Sequence, residues 1–260
     1  MEPLLSVKNL VKRFGGLTAV NQVSLDVFPG EVIGLVGDNG AGKSTLIKMV
    51  SGVYHPNDGE IYFEGKPVNI GNPSQARDMG IETIYQDLAL AGNLSVTGNI
   101  YLGREHTRRQ LGVLRFLDDK RMEQEAAGLL ERLRIEIRSL RLAVEHLSGG
   151  QRQSVAIARA TAFNARVIIM DEPTASLAVR EVGKVLGLIK TLREHGVAVI
   201  LISHRLQDVF AVSDRIMVLR HGQVAGDVPT AQATMDDVVG MMVGSRGGAW
   251  NEAKGVAAEG

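Results

Sequence analysis

The chain of 260 residues has no cysteine, no excess charge of either sign, and no apolar run approaching the ~20 residues of a membrane-spanning helix. The first absence excludes disulfides and cysteine-ligated metal, and it fits a reducing compartment. The second is a balance of 29 Lys and Arg against 29 Asp and Glu, so global electrostatics do not point to nucleic acid as a partner. The third means that any membrane attachment is expected to come through another protein. Met1-Glu2-Pro3-Leu4-Leu5-Ser6 has neither the basic start nor the apolar core of a signal peptide. No internal repeat or low-complexity domain interrupts the chain. With 45% hydrophobic residues it can bury a substantial core, as one large lobe or two intimately joined ones.

Against these absences, one loop stands out. Gly37-Asp38-Asn39-Gly40-Ala41-Gly42-Lys43-Ser44 fits GxxxxGK[ST], enters from the strand-like run Glu31–Val36, and leads into a helical pattern with apolar Leu46, Ile47 and Val50. Glycines at 37, 40 and 42 let the backbone turn and bring N–H groups close to phosphate oxygens, and the helix start adds a favourable dipole. Lys43 supplies a compact charge for the β and γ phosphates, Ser44 a hydroxyl short enough to ligate magnesium, and Thr45 a further hydroxyl.

A second apolar run, Val167–Met170, reads as a buried parallel strand with Asp171 and Glu172 at its carboxyl end, where ligands bind in open α/β sheets. Asp171 is the candidate partner of hydrated magnesium and Glu172 the candidate base for an attacking water. The alternative is that both acids cap a helix beginning near Pro173. His204 ends a similar run, Val197–Ile202, where a lone histidine is as well explained by capping or packing. Leu147-Ser148-Gly149-Gly150-Gln151 offers an N-cap serine and two small residues that would let a phosphate approach a helix start. Phe14 is either an aromatic platform for a base or a core residue.

Strand signals separated by turns run to about Gln86, helix-like patterns occupy Asp87 to Ala162, and strand–helix alternation resumes at Arg166. Asp119–Arg134 is the clearest helix, with Met122, Ala126, Leu129, Leu130 and Leu133 on one side. The charged stretch Arg104–Arg121 reads as a solvated face. Residues 244–260, rich in glycine and alanine, read as a frayed tail.

Taken in order, the glycine-rich loop, LSGGQ followed by Arg152, the strand ending in Asp171-Glu172, and Ile202-Ser203-His204 resemble the ATP-binding subunit of an ATP-binding cassette (ABC) transporter over roughly residues 4–243. The resemblance implies a P-loop NTPase α/β core with an N-terminal β-rich subdomain and an inserted helical subdomain, about residues 87–162. It implies ATP hydrolysis with Mg²⁺, His204 as γ-phosphate sensor, Phe14 stacking on adenine, and Gln86 contacting magnesium and water while linking the core to the helical subdomain. It further implies that Ser148, Gly149, Gly150 and Gln151 close over ATP held by another subunit, in a homodimer seated on membrane permease subunits at the cytoplasmic face.

Within that family Gly37–Thr45, Ser51–Tyr54 and Glu82–Gln86 look most like bacterial monosaccharide importers of the ribose, xylose and fructose type, which receive sugar from a periplasmic binding protein. The single cassette is similar to the fructose-type members, and the length leaves no room for the C-terminal regulatory domain of the maltose type. Ala178 departs from the aspartate that many cassettes carry after the catalytic acids. An importer of branched-chain amino acids or another solute, or a non-transport cassette, is the alternative.

Overall fold

In the computed structural model, residues 2–110 and 114–245 are described. The chain opens with an antiparallel pair, β1 (Leu5–Phe14) and β2 (Leu17–Val27), and then lays down β3 (Val32–Val36), the glycine-rich loop and α1 (Lys43–Val50). β4 (Asp58–Phe63) and β5 (Lys66–Val68) return to the first pair, completing a four-stranded sheet ordered β2-β1-β4-β5. After α2 (Pro73–Asp78), β6 (Ile81–Ile84) starts the far edge of a second sheet. The chain then leaves it for α3 (Val96–Tyr101), β7 (Thr107–Gln110), β8 (Leu114–Leu117), α4 (Asp119–Arg132) and α5 (Gly149–Thr161). It returns through β9 (Val167–Asp171), α6 (Val179–Glu194), β10 (Ala198–Ile202) and α7 (Leu206–Val212), and ends with β11 (Arg215–Arg220), β12 (Gln223–Pro229) and α8 (Met235–Val243).

The second sheet is ordered β12-β11-β3-β10-β9-β6, and all its pairings are parallel except β11 with β12. A parallel sheet must be covered on both faces, which is why its central strands β3, β10 and, up to Met170, β9 are apolar. The two-residue period then sorts the side chains. Val32 and Val36, Ile168 and Met170, and Val199 and Leu201 point into a core shared with the helices. Ile33 and Leu35, Val167 and Ile169, and Ile200 and Ile202 point into a second core beneath α1 and the antiparallel sheet. Gly34 lies among them because any side chain there would run into Val209 of α7.

The α/β core, β-rich N-terminal sheet and helical insertion are as expected. Two expectations are corrected. Within the stretch predicted to be helical, β7 and β8 pair as an antiparallel hairpin, Thr107 opposite Leu117. Arg104 belongs to no solvated face: its Nη2 lies 3.0 Å from Glu82 on β6, and its guanidinium sits 4.4 Å from the ring centroid of Phe163. Arg121, by contrast, is exposed and pairs with Glu125 one turn on. The tail reading for 244–260 falls, beyond Ser245, outside the described residues.

Candidate functional site

β3 delivers the chain into a loop whose backbone only glycine tolerates at two points. Gly37 and Gly42 have φ of 151° and 104°, and a Cβ on either would strike a carbonyl oxygen, that of Leu219 or Ala19 respectively. Lys43 begins α1 and curls back, its Nζ donating to the carbonyls of Gly37 at 2.7 Å and Asp38 at 3.0 Å. Burial lowers its pKa, opposed by the nearby charges of Glu172, Asp38 and Asp171. The ammonium is thus held over the loop among three carboxylates, and phosphate oxygens are better partners for it than carbonyls. Ser44 and Thr45 follow in the first turn of α1, Ser44 exposed and Thr45 half-buried.

Asp171 ends β9, and Glu172 follows in a left-handed conformation (φ 52°), its N–H donating to Ile202 at the end of neighbouring β10. That conformation is strained for a side-chain-bearing residue, and such strain gathers at functional sites. α6 does not begin until Val179, with Ala178 as its N-cap, so the alternative that these acids cap a helix near Pro173 is set aside. Glu172 Oε1 accepts the backbone N–H of His204 at 2.9 Å. Oε2 stands 2.8 Å from His204 Nδ1, in close contact but without the alignment of a hydrogen bond. The histidine side chain is 68% exposed against 16% for the glutamate, so the imidazole is open to a ligand while the carboxylate is sheltered. The pKa of Asp171 is raised, first by burial and then by Glu172.

Gln86 follows β6 and lines a cleft of about 350 Å³ together with Glu172, Leu177, Gly149 and Arg152. Phe14, 43% exposed at the end of β1, is no core residue: its ring meets Tyr54 edge to face at 5.3 Å with the Lys12 ammonium 5.4 Å from its centroid. Ser148 is the N-cap of α5 in a full capping box: the Gln151 N–H donates to its hydroxyl, and its own N–H donates to the Gln151 side chain. Ser148, Gly150 and Gln151 line one cavity with Glu181 and Lys184, whereas Asp38–Ala41 line another with Arg220 and His221. The structure therefore brings Lys43, Asp171, Glu172, His204 and Gln86 into one neighbourhood, with Gly149 at the edge of its cleft, whereas Ser148, Gly150 and Gln151 line the separate cavity beside Glu181.

Sequence reasoning missed the residues that hold these loops in place. Arg159 of α5 donates to the carbonyls of Leu88 and Ala89, tying the segment after Gln86 to the helix that Ser148 caps. Asn99, fully buried, bonds Ala91, Leu94 and Ser95. Thr174 donates to buried Asp208 at 2.6 Å, and Arg205 lies 3.3 Å from the same carboxylate, joining the chain after Glu172 to the chain after His204. The partners of Arg159 and Thr174 lie too far along the chain for local patterning to signal them, and the contacts of Asn99 within its own segment follow no helix or strand period.

Residues 20–175 match the family described as ABC transporter. The chain belongs to the ABC transporter family. This ABC cassette is 46% identical to the fructose import ATP-binding protein FrcA of Rhizobium meliloti, over 94% of this chain and 95% of that protein. It is 45% identical to the xylose/arabinose import ATP-binding protein XylG of Sulfolobus acidocaldarius, over 93% and 94%. With the ribose import ATP-binding protein RbsA 1 of Rubrobacter xylanophilus the identity is 47% over 94% of the cassette, which spans 48% of that protein. Among solved structures, a nucleotide-free ATP-binding cassette from an ABC transporter superposes with a TM-score of 0.80 at 27% identity, covering 92% of this chain and 98% of that one. A dimeric post-hydrolysis ATP-binding cassette bound to ADP and Pi gives 0.72 at 26% identity, covering 87% and 98%.

Proposed function

We propose that this cassette is the ATP-hydrolysing subunit that energises import of a monosaccharide through a separate membrane permease. The observation that carries the reading is its similarity to the fructose and xylose/arabinose import proteins along nearly the full length of all three chains. Among the described residues no helix is long and apolar enough to cross a membrane, in keeping with a peripheral subunit that docks on permease partners. We place it at the cytoplasmic face as a homodimer, with a periplasmic sugar-binding protein delivering the substrate, and treat residues 4–243 as one ATPase domain with a helical subdomain at 87–162.

In this reading the loop Gly37–Thr45 cradles the phosphates, Lys43 exchanging its carbonyl partners for β and γ oxygens, and adenine stacks on Phe14. Ser44, Gln86 and Asp171 offer only oxygen donors, and Asp171 and Glu172 form an acidic pair whose mutual repulsion a hard cation would relieve, so the residues fit magnesium. A magnesium ion held by these oxygens would supply positive charge against the negative charge of the phosphates. Glu172 takes a proton from the water attacking the γ-phosphorus, and the His204 imidazole, held against Glu172, hydrogen-bonds the γ-phosphate.

His204→Ala should lower hydrolysis by roughly 10²-fold, the usual effect of losing one transition-state donor. The Kd for ATP should move less than about threefold, under ~1 kcal/mol. An unaltered rate, with and without the permease, would reduce His204 to a structural residue. The transport reading is tested by reconstituting the cassette with its permease in vesicles and measuring ATP hydrolysis in the presence of binding protein and a panel of solutes. Stimulation by a pentose or hexose is expected. Stimulation by branched-chain amino acids alone would overturn the sugar assignment.

A further inference from the structure

The helix start that carries Ser148 is already covered by an anion from its own chain. Glu181 lies in the first turn of α6, and the turn after Glu172 folds that helix against the beginning of α5. A methyl group placed on Gly150 would lie 2.8 Å from Glu181 Cβ and 3.0 Å from its carboxyl carbon, and one on Gly149 would lie 3.7 Å from Oε2. The carboxyl is thus laid across the two glycines. Its pKa is lowered, the Ser148 side chain being the largest cause and the Gly150 backbone N–H the next. These are donors at a helix N-terminus, where the exposed N–H groups and the dipole favour negative charge. Lys184, one turn further along α6, lines the same cavity of about 400 Å³, so the carboxylate has both room and a countercharge toward which to turn.

We infer that Glu181 is a positioning residue of the composite ATP site: in the resting chain its carboxylate lies over the Ser148–Gly150 helix start that the facing subunit's γ-phosphate must reach, and closure of the dimer requires it to turn aside. The inference rests on the proposal that Ser148 to Gln151 complete an ATP site in another subunit. Two anions cannot share the same donors where water is excluded, so the more highly charged phosphate displaces the carboxylate, and a subunit meeting an empty or ADP-loaded partner keeps its own cap. Glu181 thereby makes closure depend on a γ-phosphate rather than on surface contact alone.

The test uses the slow-hydrolysing Glu172→Gln protein with MgATP, comparing it with Glu172→Gln/Glu181→Gln and Glu172→Gln/Glu181→Ala by light scattering over a range of protein concentrations. With the competing charge removed, the concentration giving half dimer should fall by roughly three- to tenfold, the scale set by one charge at a partly exposed helix start. High salt should shrink the difference. A cap serving only to stabilise α5 would act in the opposite sense, lowering the unfolding temperature and raising the half-dimer concentration. If Glu172→Gln alone dimerises with ATP and both Glu181 variants dimerise equally or less readily, the inference is overturned. If Glu172→Gln itself never dimerises, the composite-site reading falls first.

Discussion

Glu172→Gln is expected to slow ATP hydrolysis by about 10²- to 10⁴-fold, the range of general-base contributions, while leaving MgATP binding intact. The amide keeps the carboxylate's shape, and its oxygen still accepts the His204 N–H that now reaches Oε1 at 2.9 Å. Its NH₂ group takes the place of Oε2 beside His204 Nδ1, and with the backbone bond to His204 kept, the strained turn after β9 is retained. What is lost is basicity: an amide does not accept the proton of the attacking water. Losing the negative charge also removes repulsion against the γ-phosphate, so ATP affinity should be equal or tighter. Phosphate release and equilibrium nucleotide binding, measured on the same preparation, check both halves. Normal turnover would remove Glu172 from the role of base.

The second large effect concerns assembly. Ser148→Arg should bring hydrolysis to background, because it puts a bulky cation where a facing phosphate must come and removes the hydroxyl half of the α5 capping box. The lost cap alone costs about 0.5–2 kcal/mol of stability, so the variant should remain folded by circular dichroism. Lys43→Ala should fail differently, by weakening ATP binding itself. Mixing the two inactive proteins should restore a fraction of the activity: a mixed dimer gathers both lesions in one composite site and leaves the other with an intact glycine-rich loop and an intact LSGGQ face. For the unmutated chain, specific activity should rise with protein concentration until dimers dominate. Light scattering of the Glu172→Gln protein with ATP reports dimer formation independently of turnover. An ATP-bound state that stays monomeric, with activity per chain independent of concentration, would defeat the homodimer.

The parts of this molecule legible in the sequence are those whose chemistry is contiguous. Gly37–Ser44 with its flanking strand and helix, the two apolar strands ending at Asp171 and near His204, and the Ser148–Gln151 cap are each set by local backbone geometry and by periods of two or 3.6 residues. Tertiary structure alone decided what these pieces touch. The strand order β12-β11-β3-β10-β9-β6 follows no chain order, yet it sets β10 beside β9 and so brings His204 onto Glu172. Folding α6 against the start of α5 lays Glu181 over Gly150, and Arg104, read locally as one charge in a polar run, finds Glu82 and Phe163. The β7–β8 hairpin is not legible because β7, Thr-Arg-Arg-Gln, has no apolar residue and β8, Leu-Arg-Phe-Leu, is too short for its apolar positions to tell strand from helix. Local hydrogen bonding and side-chain period act over a few residues and can be read in one dimension. Contacts between distant segments depend on which strand edges and helix faces come to pack together, and no short stretch of sequence contains that information.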